Sequence, residues 1–210
     1  MRVHKGIIWF DIETSQWAEK MKHPHTTGAI IQIAAIATDF DLKELESFEI
    51  KIQFKLAKAD NEVLSLVGWS SDRWKDATHP AYAAEKFADF VNRYAFLERA
   101  SKEGRMYNSA VLGGFNSSGF DIPVLKAWVR RLNEVQKRKN QKYIKFSGGY
   151  QPQIDVLQMA QIYYSKNQRW PNSFRLAHLC ELEGIELENW HDAHSDVQAT
   201  IELARFYDML

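Results

Sequence analysis

The sequence predicts an α/β fold in which helices flank a mixed five-stranded sheet. Strand-like segments dominate the early part of the chain, and helical patterns interleave with shorter strand-like segments later. The chain is also long enough, because 210 residues with 45% hydrophobic side chains can bury one sizeable core. Neither an internal repeat nor a linker divides the sequence, so we expect residues 1–210 to form a single domain.

Three of the predicted strands lie near the N-terminus. Residues 7–14 begin as a continuous apolar run, which is typical of a buried strand, and residues 30–38 have the same character. Residues 47–54 alternate strictly between polar and apolar side chains, so we expect a third, more exposed strand. The turn-like residues 39–44 form a short connection, so we expect the strands at 30–38 and 47–54 to pair as a hairpin.

The later elements alternate between helix and strand. Residues 55–78 are predicted to be irregular, and a helix follows over 80–91 with Pro80 in its first turn. The fourth and fifth strands are expected at 105–115 and at 154–157. The remaining predicted elements are helices, a long basic one and two near the C-terminus, over residues 120–140, 173–183 and 193–210.

Composition narrows the class of protein. The apolar run at the N-terminus is too short for a secretory signal or a membrane span, so we expect a soluble cytoplasmic protein without a membrane partner. Cys180 is the only cysteine, which excludes an internal disulfide and a thiolate zinc site.

Charge is balanced overall but not along the chain. Lys and Arg total 27, as do Asp and Glu, yet residues 126–145 carry eight basic side chains against the single acid Glu134. Such a basic helix is either a solvated face or, beside a metal site, a track for phosphates.

The first strand ends in two carboxylates, Asp11 and Glu13. Residues i and i+2 of a strand point to the same face, so the two side chains should project together. Two adjacent anions repel each other unless a divalent cation holds both in the ionised form. The pattern alone is weak, because it recurs at Asp60 and Glu62 without a preceding apolar run.

Further acidic and imidazole residues complete a candidate metal site. Asp121 follows the fourth strand where the long helix begins, and Asp196 opens the C-terminal helix with His191 five residues before it. Four converging carboxylates would hold two Mg²⁺ or Mn²⁺ ions about 4 Å apart, which suits in-line displacement at phosphorus. Asp11 is then the bridging ligand, Glu13 and Asp196 serve the metal that activates water, Asp121 serves the second metal, and His191 deprotonates the water.

These motifs resemble those of a known enzyme family. Asp11 with Glu13, Asn116 with Phe120 and Asp121, and His191 with Asp196 have the spacing of the three motifs of the DEDDh 3′-to-5′ exonucleases, which have the ribonuclease H-like fold. Asp192 occupies the position that holds tyrosine in the other branch of these nucleases.

Within this family the likeness is to the exonuclease domain of the bacterial exonuclease I group. It is densest after Asp155 and includes Trp170 with Pro171, Ser173 to Leu179, Gly184 to Glu186 and His191 to Ile201. The resemblance implies 3′-to-5′ degradation of single-stranded DNA to nucleoside 5′-monophosphates. It leaves two alternatives, an exoribonuclease of the ribonuclease T or oligoribonuclease kind and a proofreading or partner-dependent exonuclease subunit.

Several residues have two interpretations. Asp155 is either a fifth ligand or the N-cap of a helix, Asp192 is a candidate cap for the last helix, and His194 is a rival to His191 as base. Trp17, Trp69 and Trp74 either stack on bases of the substrate or are buried in the protein. His178, one helical turn from Arg175, either contacts a phosphate or has a structural role. The candidate substrate contacts are Thr14, Trp17, Asn116, Phe120, Arg130 and Arg175.

Overall fold

The computed structural model describes residues 4–17, 29–101, 103–148, 153–186 and 192–208. Its main sheet has five strands, as predicted. They are β1 (Ile7–Thr14), β2 (Ile30–Thr38), β3 (Glu44–Lys51), β6 (Val111–Gly114) and β7 (Gln153–Asp155). Their order across the sheet is β3-β2-β1-β6-β7. β2 pairs antiparallel with β1 and β3, whereas β1, β6 and β7 run parallel to one another. The sheet is therefore mixed.

Six helices of the described residues accompany the sheet. They are α1 (Asn61–Leu66), α2 (Pro80–Arg93), α3 (Asp121–Arg138), α4 (Val156–Lys166), α5 (Leu176–Leu182) and α6 (Ala193–Asp208). His79 caps α2 by accepting a hydrogen bond from the Ala81 amide, and Pro80 follows in the first turn, where its missing N–H costs nothing. None of the helices in the described ranges is long and apolar enough to cross a membrane.

Strict alternation along β1 divides the protein into two cores. Ile8, Phe10 and Ile12 point to the face where α2 and α3 pack. Ile7 and Trp9 point to the opposite face and pack against α4, α5 and α6. Asp11 and Glu13 continue this second series, so they lie on the face that α6 covers.

The third strand begins earlier than predicted. The alternation of residues 47–54 is real, but β3 covers Glu44–Lys51 because the turn before it is tighter than expected. The Asp39 carboxylate accepts hydrogen bonds from the Asp41 and Lys43 amides, and Leu42 adopts a positive φ of 59°. Pairing with β2 therefore starts at Glu44, opposite Thr38.

The fourth predicted strand is two strands. Residues 106–109 form β5 (Met106–Ser109), which pairs antiparallel with β4 (Leu97–Ala100) in a separate two-stranded sheet. Only the second part, β6, joins the main sheet. Gly113 in β6 lies directly against the Trp9 ring, and a Cβ atom there would be 2.5 Å from a ring carbon. This close approach explains a glycine in a central strand.

The segment predicted to be irregular contains a small third core. α1 begins at the Asp60 cap, whose carboxylate accepts a hydrogen bond from the Glu62 amide. Trp74 is buried against this helix and donates its indole N–H to the Ile31 carbonyl at 3.2 Å. Trp74 is therefore a core residue, and the second acidic pair of the sequence belongs to a helix start.

Candidate functional site

Three carboxylates meet at the C-terminal end of β1. Oxygen atoms of Asp11, Glu13 and Asp196 all lie within 4.8 Å of one another. The first two come from one face of β1, and Asp196 comes from the first turn of α6, which packs on that face. The register of β1 against β2 shifts between Glu13 and Thr14, and such a bulge re-aims the side chains at the end of a strand.

Asp121 approaches the cluster from the other helical layer. It is the first residue of α3, which begins shortly after β6, the parallel neighbour of β1. Its carboxylate is buried, and it lies close enough to the backbone amides of Ile12 and of Asp121 itself for them to oppose the rise of its pKa. Asp121 therefore lies beside β1, although it is outside the group of three oxygens described above.

Burial and mutual repulsion raise the pKa values of the carboxylates in and beside the cluster. Burial raises the pKa of Glu13 to about 8, and the charges of Asp196 and Asp121 add to the effect. Burial raises the pKa of Asp121 to about 7, although the nearby backbone amides of Asp121 and Ile12 act to lower it. The pKa of Asp11 is raised well above its ordinary value by burial first, and then by the carboxylates of Asp121 and Glu13.

Carboxylate oxygens at this spacing fit a hard divalent cation. Such ions take oxygen ligands, and binding one here would remove the repulsion that keeps these groups protonated. The cluster could therefore hold a cation. A cation held here could polarise an electrophile and stabilise the negative charge on a leaving oxygen.

Asp192 connects the start of α6 to the sheet, which the sequence did not indicate. Its carbonyl accepts the Asp196 amide, and its carboxylate receives a hydrogen bond from the buried Gln32 side chain at 3.4 Å. Arg73 lies 3.6 Å from the same carboxylate. Gln32 is also directly opposite Glu13 in the sheet, so these contacts hold α6 beside the acidic cluster.

Asp155 is a structural residue and not a fifth ligand of the cluster. One of its oxygens accepts from the amides of Leu157 and Asn116, at 3.1 and 2.9 Å, and therefore caps α4. The other accepts from the Ser118 amide at 3.1 Å and from the Ser118 hydroxyl. The carboxylate thereby fixes the loop that leads into α3, in which Asn116 adopts a positive φ of 55°.

The proposed contacts near β1 differ in their exposure. Thr14 is buried, and its hydroxyl donates to the Gln16 carbonyl at 2.9 Å. Trp17 is 40% exposed, with its indole N–H 3.4 Å from the Glu62 carboxylate. Trp17 therefore offers a ring face to solvent close to the end of β1, whereas Trp69 is partly buried in the third core.

The other proposed contacts lie on two sides of the cluster. Phe120 precedes α3 and packs partly against the core, and Arg130 is exposed further along that helix. Arg175 is exposed at the start of α5 and shares a shallow surface pocket with His178. His178 Nδ1 lies 3.8 Å from the Glu181 carboxylate one turn on, and both interpretations of His178 remain predictions.

The predicted base, His191, lies outside the described residues. Its rival His194 is partly buried in the first turn of α6 and is not among the described groups that form the acidic cluster. The assignment of His191 as base remains a prediction.

Fold and site together define a ribonuclease H-like α/β protein with an acidic cluster at the end of its central strand. No family model matches the sequence, and no curated protein is similar to it in sequence. Solved structures do match. A structure of exonuclease I superimposes with a TM-score of 0.69 at 20% identity, covering 98% of this chain and 41% of the other.

Two complexes from E. coli give the same result. Exonuclease I with a dT13 oligonucleotide has a TM-score of 0.65 at 20% identity, covering 97% of this chain and 41% of that one. The zinc-bound form with single-stranded DNA has a TM-score of 0.68 at 20% identity, with coverages of 98% and 41%. The chain spans about two fifths of the length of these proteins and has an exonuclease I-like fold, which confirms the fold that the sequence motifs predicted.

Proposed function

We propose that this protein is a metal-dependent 3′-to-5′ exonuclease that degrades single-stranded DNA to nucleoside 5′-monophosphates, and that residues 1–210 form one exonuclease domain. One observation carries the proposal. The carboxylates of Asp11, Glu13 and Asp196 converge within 4.8 Å at the end of the central strand of an exonuclease I-like fold. A fold alone hosts many functions, whereas this acidic cluster restricts the chemistry.

DNA is the preferred substrate in this proposal because of what the similar structures contain. E. coli exonuclease I is bound to dT13 in one of them and to dA16 in another. The same carboxylates would serve RNA equally well, since nothing in their chemistry distinguishes the two sugars. RNA is therefore the comparison substrate in the test below.

Each site residue has a distinct role in the proposed reaction. Two divalent cations, Mg²⁺ or Mn²⁺, would activate the attacking water and stabilise the leaving oxygen. Asp11 would be shared between the two ions, Glu13 and Asp196 would help to hold one of them, and Asp121 would help to hold the other. His191 would accept the proton of the attacking water.

The test measures mononucleotide release from 3′-labelled single-stranded DNA and RNA of the same sequence, with Mg²⁺ and with EDTA. We expect 5′-mononucleotides from DNA with Mg²⁺ and none with EDTA. Faster release from RNA would favour the exoribonuclease alternative. Activity that appears only after a second protein is added would favour the partner-dependent alternative.

Two variants test the roles of individual residues. Asp11→Asn should abolish turnover, whereas Asp60→Asn, in the second acidic pair of the sequence, should retain it because Asp60 lies at the start of α1 and is not among the described groups of the acidic cluster. His191→Ala should lower kcat by roughly 10²- to 10⁴-fold while metal binding, measured by calorimetry, is retained. A His191→Ala enzyme with near-normal kcat would refute the base assignment.

A further inference from the structure

A groove runs beside α3, the helix that begins with Asp121. Its main part has a volume of about 1180 Å³ and lies between α3, β5 and the segment of residues 143–148. A smaller hollow of about 330 Å³ continues it and shares Arg130, Asn133 and Tyr143 with it. We call the two together the α3 groove. Catalysis as described above does not need it.

The charge of the α3 groove is positive. Lys126, Arg130 and Lys145 line its main part, where none of the described lining residues is acidic. The continuation adds Lys137, with Glu134 as the single acid. Lys126 and Arg130 are both exposed, so a ligand in the groove can reach their charges.

Aromatic side chains lie between these cations. Tyr143 is 64% exposed and Tyr107 is 39% exposed, and both line the groove. An exposed tyrosine ring beside cations is the combination used to bind single strands, because each base stacks on a ring while its phosphate meets a cation.

The wall that carries Tyr143 is held in place although it has no regular secondary structure. The buried Asn133 side chain donates to the Ile144 carbonyl at 3.0 Å and accepts from the Ile144 amide at 2.7 Å. Asn92 donates to the Lys145 carbonyl and accepts from the Ser147 amide. The groove is therefore preformed, and a ligand would not have to order this segment.

One end of the groove lies at the turn of α3 that carries Asp121. Pro123, in the same first turn of α3 as Asp121, lines one end. From Pro123 to Arg138, where α3 ends, the helical rise of about 1.5 Å per residue gives a length of roughly 23 Å. At roughly 3.4 Å between phosphates of a stacked strand, this length holds at most about seven nucleotides.

We propose that the α3 groove binds the single strand on the 5′ side of the nucleotide being removed, with phosphates on Lys126, Arg130 and Lys145 and bases on Tyr143 and Tyr107. This inference rests on the proposed function. The strand then enters the acidic cluster along the first turn of α3. The groove sets affinity for long substrates without taking part in the chemistry.

The test compares binding of a short and a long oligonucleotide in EDTA, where no hydrolysis occurs. Fluorescein-labelled dT3, which is too short to follow the groove, and dT10, which is long enough to follow it, are titrated by fluorescence anisotropy. Tyr143→Ala should weaken dT10 binding by about 5- to 100-fold and leave dT3 within about twofold. Tyr143→Phe keeps the ring and should restore dT10 binding, which separates stacking from a fault in folding.

The charges are tested by salt dependence. Neutralising Lys126 and Arg130 to Gln should reduce the slope of log K against log salt for dT10 by about 1.4, because each phosphate contact in a single strand contributes roughly 0.7. The matched control is Tyr82→Ala with Lys86→Gln. These residues form an exposed lysine and tyrosine pair on α2, outside the groove, with the ammonium 5.0 Å from the ring centre.

The outcomes separate the two proposals. An unchanged dT10 affinity and salt slope in the groove variants would overturn the inference, even if the wild-type protein hydrolyses DNA. Length-dependent binding that is lost in these variants supports binding of a single strand in the α3 groove, and a failure to find hydrolysis would then count against the proposed function and not against the groove. An equal loss in the α2 control would also overturn it, since the effect would then be general attraction to a basic surface.

Discussion

The contacts of Asp155 predict a large and specific loss of stability when its carboxylate is removed. The side chain is 8% exposed and accepts hydrogen bonds from the Asn116, Ser118 and Leu157 amides and from the Ser118 hydroxyl. It therefore joins α4 to the loop that delivers Asp121. Asp155→Ala removes all of these acceptors at once.

The magnitude follows from the two kinds of contact. Loss of the N-cap alone costs about 1 kcal/mol. Hydrogen bonds from buried amides to a charged group contribute roughly 1.5–3 kcal/mol each, but those on one carboxylate are not additive. We expect Asp155→Ala to lower the free energy of unfolding by about 3–5 kcal/mol.

Asp155→Asn provides a finer test, because the two oxygens have different donors. The oxygen retained by asparagine can still accept from the Asn116 and Leu157 amides. The new amide nitrogen faces the Ser118 N–H, which loses its acceptor. We expect a loss of about 1–3 kcal/mol, smaller than for alanine.

Urea unfolding in EDTA at pH 7, followed by tryptophan fluorescence and circular dichroism, measures both variants. The m-value should stay constant if only stability changes. The control is Asp60→Ala, which removes the cap of α1 and should cost about 0.5–2 kcal/mol. A loss below about 1 kcal/mol for Asp155→Ala, combined with lost metal binding, would show that Asp155 is a metal ligand and refute this reasoning.

Three further predictions follow from single features. Because burial raises the pKa of Glu13 to about 8 and of Asp121 to about 7, the unfolded chain loses these protons at lower pH than the folded protein. The free energy of unfolding in EDTA should therefore fall between about pH 5 and pH 8, and saturating Mg²⁺ should reduce this fall; a rise over that range would contradict it. Gly113→Ala should lower the free energy of unfolding by about 1–3 kcal/mol, because the added methyl group presses on the Trp9 ring. An unchanged melting temperature would show that the ring can move aside. Burial raises the pKa of the Cys180 thiol to about 12, so iodoacetamide at pH 8 should alkylate it only after urea is added, as mass spectrometry would reveal.

Local pattern was sufficient for much of the fold and for the choice of site residues. The alternation of β1 depends only on the pleat of a strand, so Asp11 and Glu13 could be assigned to one face from the sequence alone. The buried strand β2 and the starts of α2 and α6 were likewise predictable, because apolar runs and helix caps act over a few residues.

Contacts between distant segments decided the rest. The 105–115 segment reads as one strand, yet β5 and β6 belong to different sheets because β5 pairs with β4. The sequence around Asp155 is compatible with a metal ligand and with a helix cap. Its contacts with the Leu157 amide and with the Asn116 to Ser118 loop, which the sequence does not show, make it a structural residue. Strand register and loop packing depend on partners far away in sequence, which no local period encodes.

For the candidate site, the sequence determined which carboxylates are available, and the tertiary structure decided which of them meet. Asp196 joins Asp11 and Glu13 because α6 packs on their face of β1, while Asp192 ties the start of α6 to Gln32. The groove beside α3 depends on Asn133 holding residues 143–148 against that helix. The sequence specifies which side chains are present, whereas the convergence of the carboxylates depends on packing, because it requires helices to pack on both faces of one sheet.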